Sequence, residues 1–172
     1  MANILIVIDM QKEYISEGRR FFIPSYESSM KNALNMLNNA RKKQWEIIHI
    51  KHYQNNDIFN PREKYSDFIE GFIPKYNERV FIKNKLSCFS NQDFLSYMES
   101  LSNHDDIYIM GYSSNLCCLA TIVDAYCRGY HVNFVADASM AKPLADWDEK
   151  ELHKAIIAIL SVYATICPSS SI

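Results

Sequence analysis

Along this chain, short uninterrupted apolar runs alternate with longer stretches in which apolar residues recur every three or four positions. "NILIVID" (3–9) is apolar almost throughout, the pattern of a strand buried on both faces of a parallel sheet. "SYESSMKNALNMLNNARKK" (25–43) follows, with Met30, Ala33, Leu34 and Leu37 at helical spacing. The same alternation predicts strands at 45–52, 79–83, 106–111 and 131–137, and helices at 91–101, 115–129 and 146–164. Asp146 and Glu149 stand in a capping-box arrangement at the start of the last helix. "TICPSSSI" offers room for one more short strand.

Strand and helix in alternation imply right-handed βαβ units. The expected fold is α/β, a three-layer αβα sandwich around a mostly parallel, Rossmann-like sheet, with residues 1–172 as one domain. One stretch breaks the rhythm. Residues 53–78, "YQNNDIFNPREKYSDFIEGFIPKYNE", form a long, weakly periodic connection, and connections of that length tend to be lids or binding loops. Substrate choice is expected to be encoded there.

Composition narrows the function classes. At 172 residues the chain can bury a sizeable core without staples. A formal net charge of −2 and no basic run give no electrostatic reason to expect nucleic acid or an anionic membrane as partner. No apolar run approaches the ~20 residues that span a bilayer. "MANILIVIDMQ" lacks a basic region and a small-residue cleavage site, so it reads as a buried strand and not a signal peptide. The 5 cysteines show no metal-ligand spacing and no C-x-x-C pair, which points to a reduced, cytoplasmic protein.

In an open parallel sheet, ligands bind outside the carboxyl ends of the strands. The first strand ends in Asp9 and the third in Lys83, while the fourth leads through Gly111 to Cys117. A carboxylate, an ammonium and a thiol thus meet at one edge. A helix N-terminus and a nearby ammonium favour a thiolate, and a carboxylate can take the thiol proton and return it to a leaving amine. No histidine is required, and His104 and His131 precede strands, at the opposite edge.

Three blocks carry a family resemblance: "IVIDMQKEY" (6–14), "VFIKNKLSCF" (80–89) and "GYSSNLCCLATIVDAYCRGY" (111–130). In this order they resemble the isochorismatase-like cysteine hydrolases, which include nicotinamidases and carbamoyl-amide hydrolases. The resemblance implies a triad of Asp9, Lys83 and Cys117, with oxyanion donors from the backbone amides of Ser113 and Cys117. It implies attack of the cysteine on an amide or ureido carbonyl and hydrolysis of the acyl-enzyme by water. It also places a cis peptide at Tyr112–Ser113 and suggests a homodimer or homotetramer. Gln11, Tyr14, His52 and Tyr112 are the substrate-facing candidates, with Phe59, Phe68 and Phe72 as apolar walls.

The adjacent Cys118 makes the register matter. If Ser114 caps the helix, the Cys117 amide lies among the four that lack an intrahelical acceptor and is free for an oxyanion. The Cys118 amide would then already bond the Ser114 carbonyl. A cap at Asn115 would shift the free amide to Cys118.

Nicotinamidases hold a metal through Asp-x-His after the second strand, where this chain has His52 and Gln54. One imidazole is not a divalent-metal site, so no metal and no other cofactor is expected. The reading is a metal-independent cysteine hydrolase of a small amide, lactam or ureido compound. The alternative is an idle family member serving as a binding or assembly module. A nucleotide-binding role is disfavoured because "DMQKEYISEG" offers no glycine-rich phosphate cradle.

Overall fold

The computed structural model describes residues 2–102 and 105–171. Its elements, in chain order, are β1 (Asn3–Ile8), α1 (Tyr26–Lys42), β2 (Glu46–His52), β3 (Arg79–Lys83), α2 (Gln92–Glu99), β4 (Asp106–Tyr112), α3 (Leu119–Cys127), β5 (Val132–Met140), α4 (Glu149–Leu160) and β6 (Thr165–Cys167). The six strands form one sheet in the order β3-β2-β1-β4-β5-β6, and every pairing is parallel. This is a doubly wound order whose direction of winding reverses between β1 and β4, and such a reversal opens a crevice at the strand carboxyl ends.

Alternate residues of the central strands enter two separate cores, as the two-residue period of a strand requires. Ile4, Ile6, Ile8, Ile48, Ile50, Ile107 and Ile109 pack with Phe94 and Met98 of α2, Ile122 and Ala125 of α3, and Ile156 and Leu160 of α4. Leu5, Val7, Ile47 and Met110 face the other way, against Ala33, Met36, Leu37 and Ala40 of α1. One helix cannot cover that face. Ile23, Phe59, Ile69 and Phe72 complete the layer, so the long connection supplies core as well as a rim.

Two of the boundaries that differ from the sequence reading have a clear local cause. Helix α4 begins at Glu149, with Asp148 as cap: its Oδ1 accepts from the amides of Lys150 (2.9 Å) and Glu151 (2.8 Å). The predicted cap at Asp146 fails because Ala145 has φ +51° and Leu144 and Trp147 close a small bridge, so the chain is still turning there. Strand β5 runs on to Met140 through a register shift, with Ser139 Oγ accepting from the Gly111 amide at 3.1 Å. Among the described residues, no helix is long and apolar enough to cross a membrane.

Candidate active site

The winding reversal brings the ends of β1 and β4 side by side, since Ile8 pairs with Gly111. Gly111, at φ +123°, permits this approach: a Cβ there would lie 2.1 Å from the Ile8 carbonyl oxygen. The chain leaves β1 at Asp9, whose φ of +49° is a left-handed conformation that aspartate tolerates better than most residues. Lys83 closes β3 beside His52, its register partner in β2. At this edge Lys83 Nζ donates to Asp9 Oδ2 at 2.7 Å, to Cys117 Sγ at 3.3 Å and to His52 Nδ1 at 2.9 Å. All four residues are buried.

The turn carrying Cys117 differs from the predicted one in a way that bears on which of the two cysteine amides is left free. The cap is Ser113, one residue earlier than expected, and Ser114–Cys118 form a single wide π turn. A regular α-helix capped at Ser113 would spend that carbonyl on the Cys117 amide. Here the Ser113 carbonyl takes the amides of Leu116 (3.2 Å) and Cys118 (3.1 Å), passing over Cys117. The wider turn therefore compensates for the earlier cap. Cys118 lies wholly in the core, its Sγ 3.5 Å from the Gly111 carbonyl. The Tyr112–Ser113 peptide is cis.

Neighbouring elements fix this turn. His153 of α4 accepts from the Ser114 hydroxyl through Nδ1 (2.8 Å) and donates through Nε2 to the Ala136 carbonyl (3.0 Å), a two-sided clamp. Asn115 pairs with the backbone of Lys142 in both directions, at 3.0 and 2.9 Å. The loop after Lys83 is tied to α3 through Ser87–Asp124 (2.7 Å) and Cys88–Thr121 (3.1 Å). Asp124, also joined to Arg128 at 2.7 Å, thus acts as a brace, as does Cys88 in the core.

Burial sets the electrostatics. It pushes the Cys117 thiol well above its ordinary value, Asp9 adds to that push, and Lys83 pulls back only in part. The sequence-based expectation of a thiolate favoured in the free protein is therefore corrected: the resting thiol keeps its proton. For Lys83, burial works against the charge, but the Asp9 carboxylate outweighs it and holds the ammonium above its ordinary range. Burial, and then the Lys83 charge, lower His52 to about 4, so the imidazole is neutral.

The other candidates divide. Gln11 spends both ends of its amide on backbone, donating to the carbonyls of His52 (3.0 Å) and Ser66 (2.7 Å) and accepting from the His52 amide (2.8 Å). This is a clip joining β2 to the long connection, and it leaves the Gln11 amide no contact for a substrate. Tyr112 turns its hydroxyl to Ser29 Oγ (2.9 Å) and the Tyr26 carbonyl (3.2 Å) of α1, so it packs the core and does not narrow the site. Tyr14 stays at the site. Its hydroxyl faces Ser113 Oγ, and both atoms, like Asp9 Oδ1, are buried without a hydrogen bond of good geometry. Phe59 stacks edge-on over His52 (5.0 Å) and near Tyr14 (5.3 Å), whereas Phe72 lies in the core. Phe68 sits 5.7 Å from His49 and bridges Gln11. His131 bonds Thr165, far from the thiol edge, and His104 lies outside the described residues.

Among the described residues, one group of possible metal ligands emerges: Asp9, His52 and Cys117, with ligand atoms within 4.8 Å of one another. The Lys83 ammonium contacts all three, so a metal ion bound to them would have to displace it. The set does not fit a resident metal.

Sequence reasoning missed His153, the Ser113 hydroxyl and the His52–Lys83 contact. Only the last had a signal, since both residues end adjacent strands. A cleft of about 710 Å³ reaches Lys83 and is lined by side-chain amides, among them Gln54, Asn55, Asn84 and Asn91.

Comparison with known proteins agrees with this architecture. The isochorismatase domain pattern matches residues 3–167. The chain is 27% identical over 174 residues to the uncharacterized isochorismatase family protein YddQ of Bacillus subtilis (strain 168), with 96% of each covered. An isochorismatase structure from Pseudomonas putida KT2440 superposes with a TM-score of 0.88 at 27% identity, over 99% of this chain and 89% of that one. N-carbamoylsarcosine amidase from Thermoplasma acidophilum shares the fold, with a TM-score of 0.77 at 21% identity over 100% and 99% of the two chains.

Proposed function

The chain belongs to the isochorismatase family, and from that premise we propose that it is a cysteine hydrolase cleaving a C–N bond of a small amide, lactam or ureido compound. The observation that carries the reading is one buried ammonium, Lys83, 2.7 Å from a carboxylate and 3.3 Å from a thiol. A binding module has no use for that arrangement, because burying charged groups is costly. The shared fold with an amidase is consistent with the C–N assignment.

Asp9 Oδ1, buried without a partner, accepts the Cys117 proton as sulfur attacks the substrate carbonyl carbon. The new C–S bond moves the carbonyl electron pair onto oxygen, and the backbone amides of Ser113 and Cys117 hold the oxyanion. Lys83 stabilises sulfur while it is anionic and keeps Asp9 in place. As the tetrahedral adduct collapses, the C–N bond breaks and Asp9 returns the proton to nitrogen. Ammonia or an amine leaves a thioester, or, for a lactam, the ring opens and the amine stays tethered to the acyl group. Water, deprotonated by Asp9, then attacks that carbon, releasing the acid and restoring the thiol. No step uses a metal, and chelators should leave the rate unchanged.

The test is a panel of primary amides, lactams and ureido compounds, followed by ammonia or amine release. Cys117→Ala should lose at least about 10³-fold in kcat, while Cys118→Ala stays within about tenfold of wild type. Activity that survives in Cys117→Ala and vanishes in Cys118→Ala would shift the nucleophile by one residue. Turnover abolished by EDTA and restored by a divalent ion would end the metal-independent reading.

A further inference from the structure

An ammonium carries three N–H donors and no acceptor, and at Lys83 all three are engaged: by Asp9 Oδ2, His52 Nδ1 and Cys117 Sγ. Because Lys83 can only donate, His52 Nδ1 must accept, and a neutral ring then carries its proton on Nε2. We propose that His52 is a positioning residue of the hydrolytic reaction, which takes the third Lys83 proton and thereby aims another at the Cys117 sulfur. The inference rests on the triad reading above.

The physical reason is the freedom of the ammonium. It rotates about its Cε–Nζ bond, and the lysine stem has several rotamers. One partner at Asp9 leaves the ammonium free to turn about that contact. A second fixed acceptor sets the rotor, and tetrahedral geometry then dictates where the remaining N–H points. His52 is suited to be that fixed point. It stands opposite Lys83 in the parallel register, its backbone is held on both sides by Gln11, and Phe59 packs edge-on against its ring. Residue exposures of 2% for His52 and 3% for Lys83 leave little room for water to replace the imidazole. The ring must also be neutral, since an imidazolium would place a second cation 2.9 Å from the ammonium.

This separates His52 from a substrate contact and from a core filler, and a pair of variants distinguishes the three. Asn puts its Oδ1 as many bonds from Cα as His puts Nδ1, so His52→Asn keeps an acceptor near Lys83. His52→Leu fills similar space without one. With folding checked by circular dichroism, His52→Leu should lose about 100-fold in kcat while KM changes less than about threefold, as expected when a transition-state donor is misaligned. His52→Asn should recover to within about tenfold of wild type.

Equal impairment of both variants, full activity of His52→Leu, or a change confined to KM would each overturn the assignment. A second readout needs no substrate: the pH dependence of Cys117 alkylation by iodoacetamide, followed by peptide mapping. Losing the aimed N–H should raise the midpoint by about one unit in His52→Leu and leave His52→Asn close to wild type. An unmoved midpoint in His52→Leu also refutes the proposal. If the wild-type protein cleaves no amide on the panel, the triad reading fails by itself, and the alkylation profile still decides whether His52 aims Lys83.

Discussion

Cys117 and Cys118 are neighbours in sequence and opposites in surroundings. The first faces Asp9 and Lys83, and the second is sealed among core side chains. Tyr14 is the more informative residue, because its buried hydroxyl lacks a good partner next to the thiol. Leaving a buried hydroxyl unpaired costs stability, so Tyr14→Phe should raise the unfolding free energy by up to about 1 kcal/mol. If that hydroxyl is reserved for substrate, the same change should raise KM about tenfold with kcat little altered. Thermal melts and steady-state kinetics on one preparation check both, and a destabilised variant with unchanged KM would contradict the assignment. At this scale much was legible, since residue type and position at a strand end named the acid, the ammonium and the thiol. Illegible were Tyr112 and Gln11: side-chain direction decides between substrate and backbone partners, and a motif does not carry direction.

Elements aim these groups through close approach and clips. Gly111→Ala would drive a Cβ to 2.1 Å from the Ile8 carbonyl and 2.8 Å from its nitrogen, both rigid backbone atoms of a central strand. A loss of more than about 4 kcal/mol, or failure to fold, is expected in chemical denaturation. Gln11→Leu removes three buried hydrogen bonds to backbone of His52 and Ser66. It should cost about 2–4 kcal/mol and speed proteolysis within 53–78, as the orphaned groups seek water. A cleavage pattern unchanged in Gln11→Leu would deny the clip. Element type was readable from periodicity, which a strand or helix must display to bury one side. The start of α4 was not: the sequence pointed to Asp146, and the turn at Ala145 moved the cap to Asp148. The π turn was also hidden, because its wider winding answers to neighbours such as His153 and Asn115.

Across the whole molecule, acid should unfold the protein in two overlapping stages. Burial keeps His49 and His52 neutral, the latter at about 4, so the unfolded chain binds their protons first. The contribution of each is complete above the ordinary value of 6.5 and drains as pH falls through the lowered one, which for His52 is about 4. Glu78 behaves as a depressed carboxylate. Burial opposes its charge, but bonds from Arg41, the Lys75 amide and His49 outweigh it and bring it to about 2. Its contribution is complete above the ordinary 4.5 and drains as pH falls toward 2, at about 1–2 kcal/mol after allowance for solvent screening. Thermal unfolding between pH 2 and 7 should show both slopes. Glu78→Gln should lower stability at neutral pH and flatten the lower one, and an unchanged slope below 4.5 would refute this role.

By itself, the sequence determined the layers and the chemical cast: apolar period sets which side of an element must be buried, and side-chain chemistry is intrinsic to the residue. It determined that a carboxylate, an ammonium and a thiol would emerge at one sheet edge, since parallel strands all end on the same side. Tertiary structure decided the rest. It chose Ser113 as cap, opened the π turn that bypasses the Cys117 amide, and set His52 beside Lys83 through strand register. It also closed the site enough to keep the thiol protonated at rest. These features depend on contacts between residues far apart in the chain, whose distances and dielectric surroundings exist only once the fold has formed.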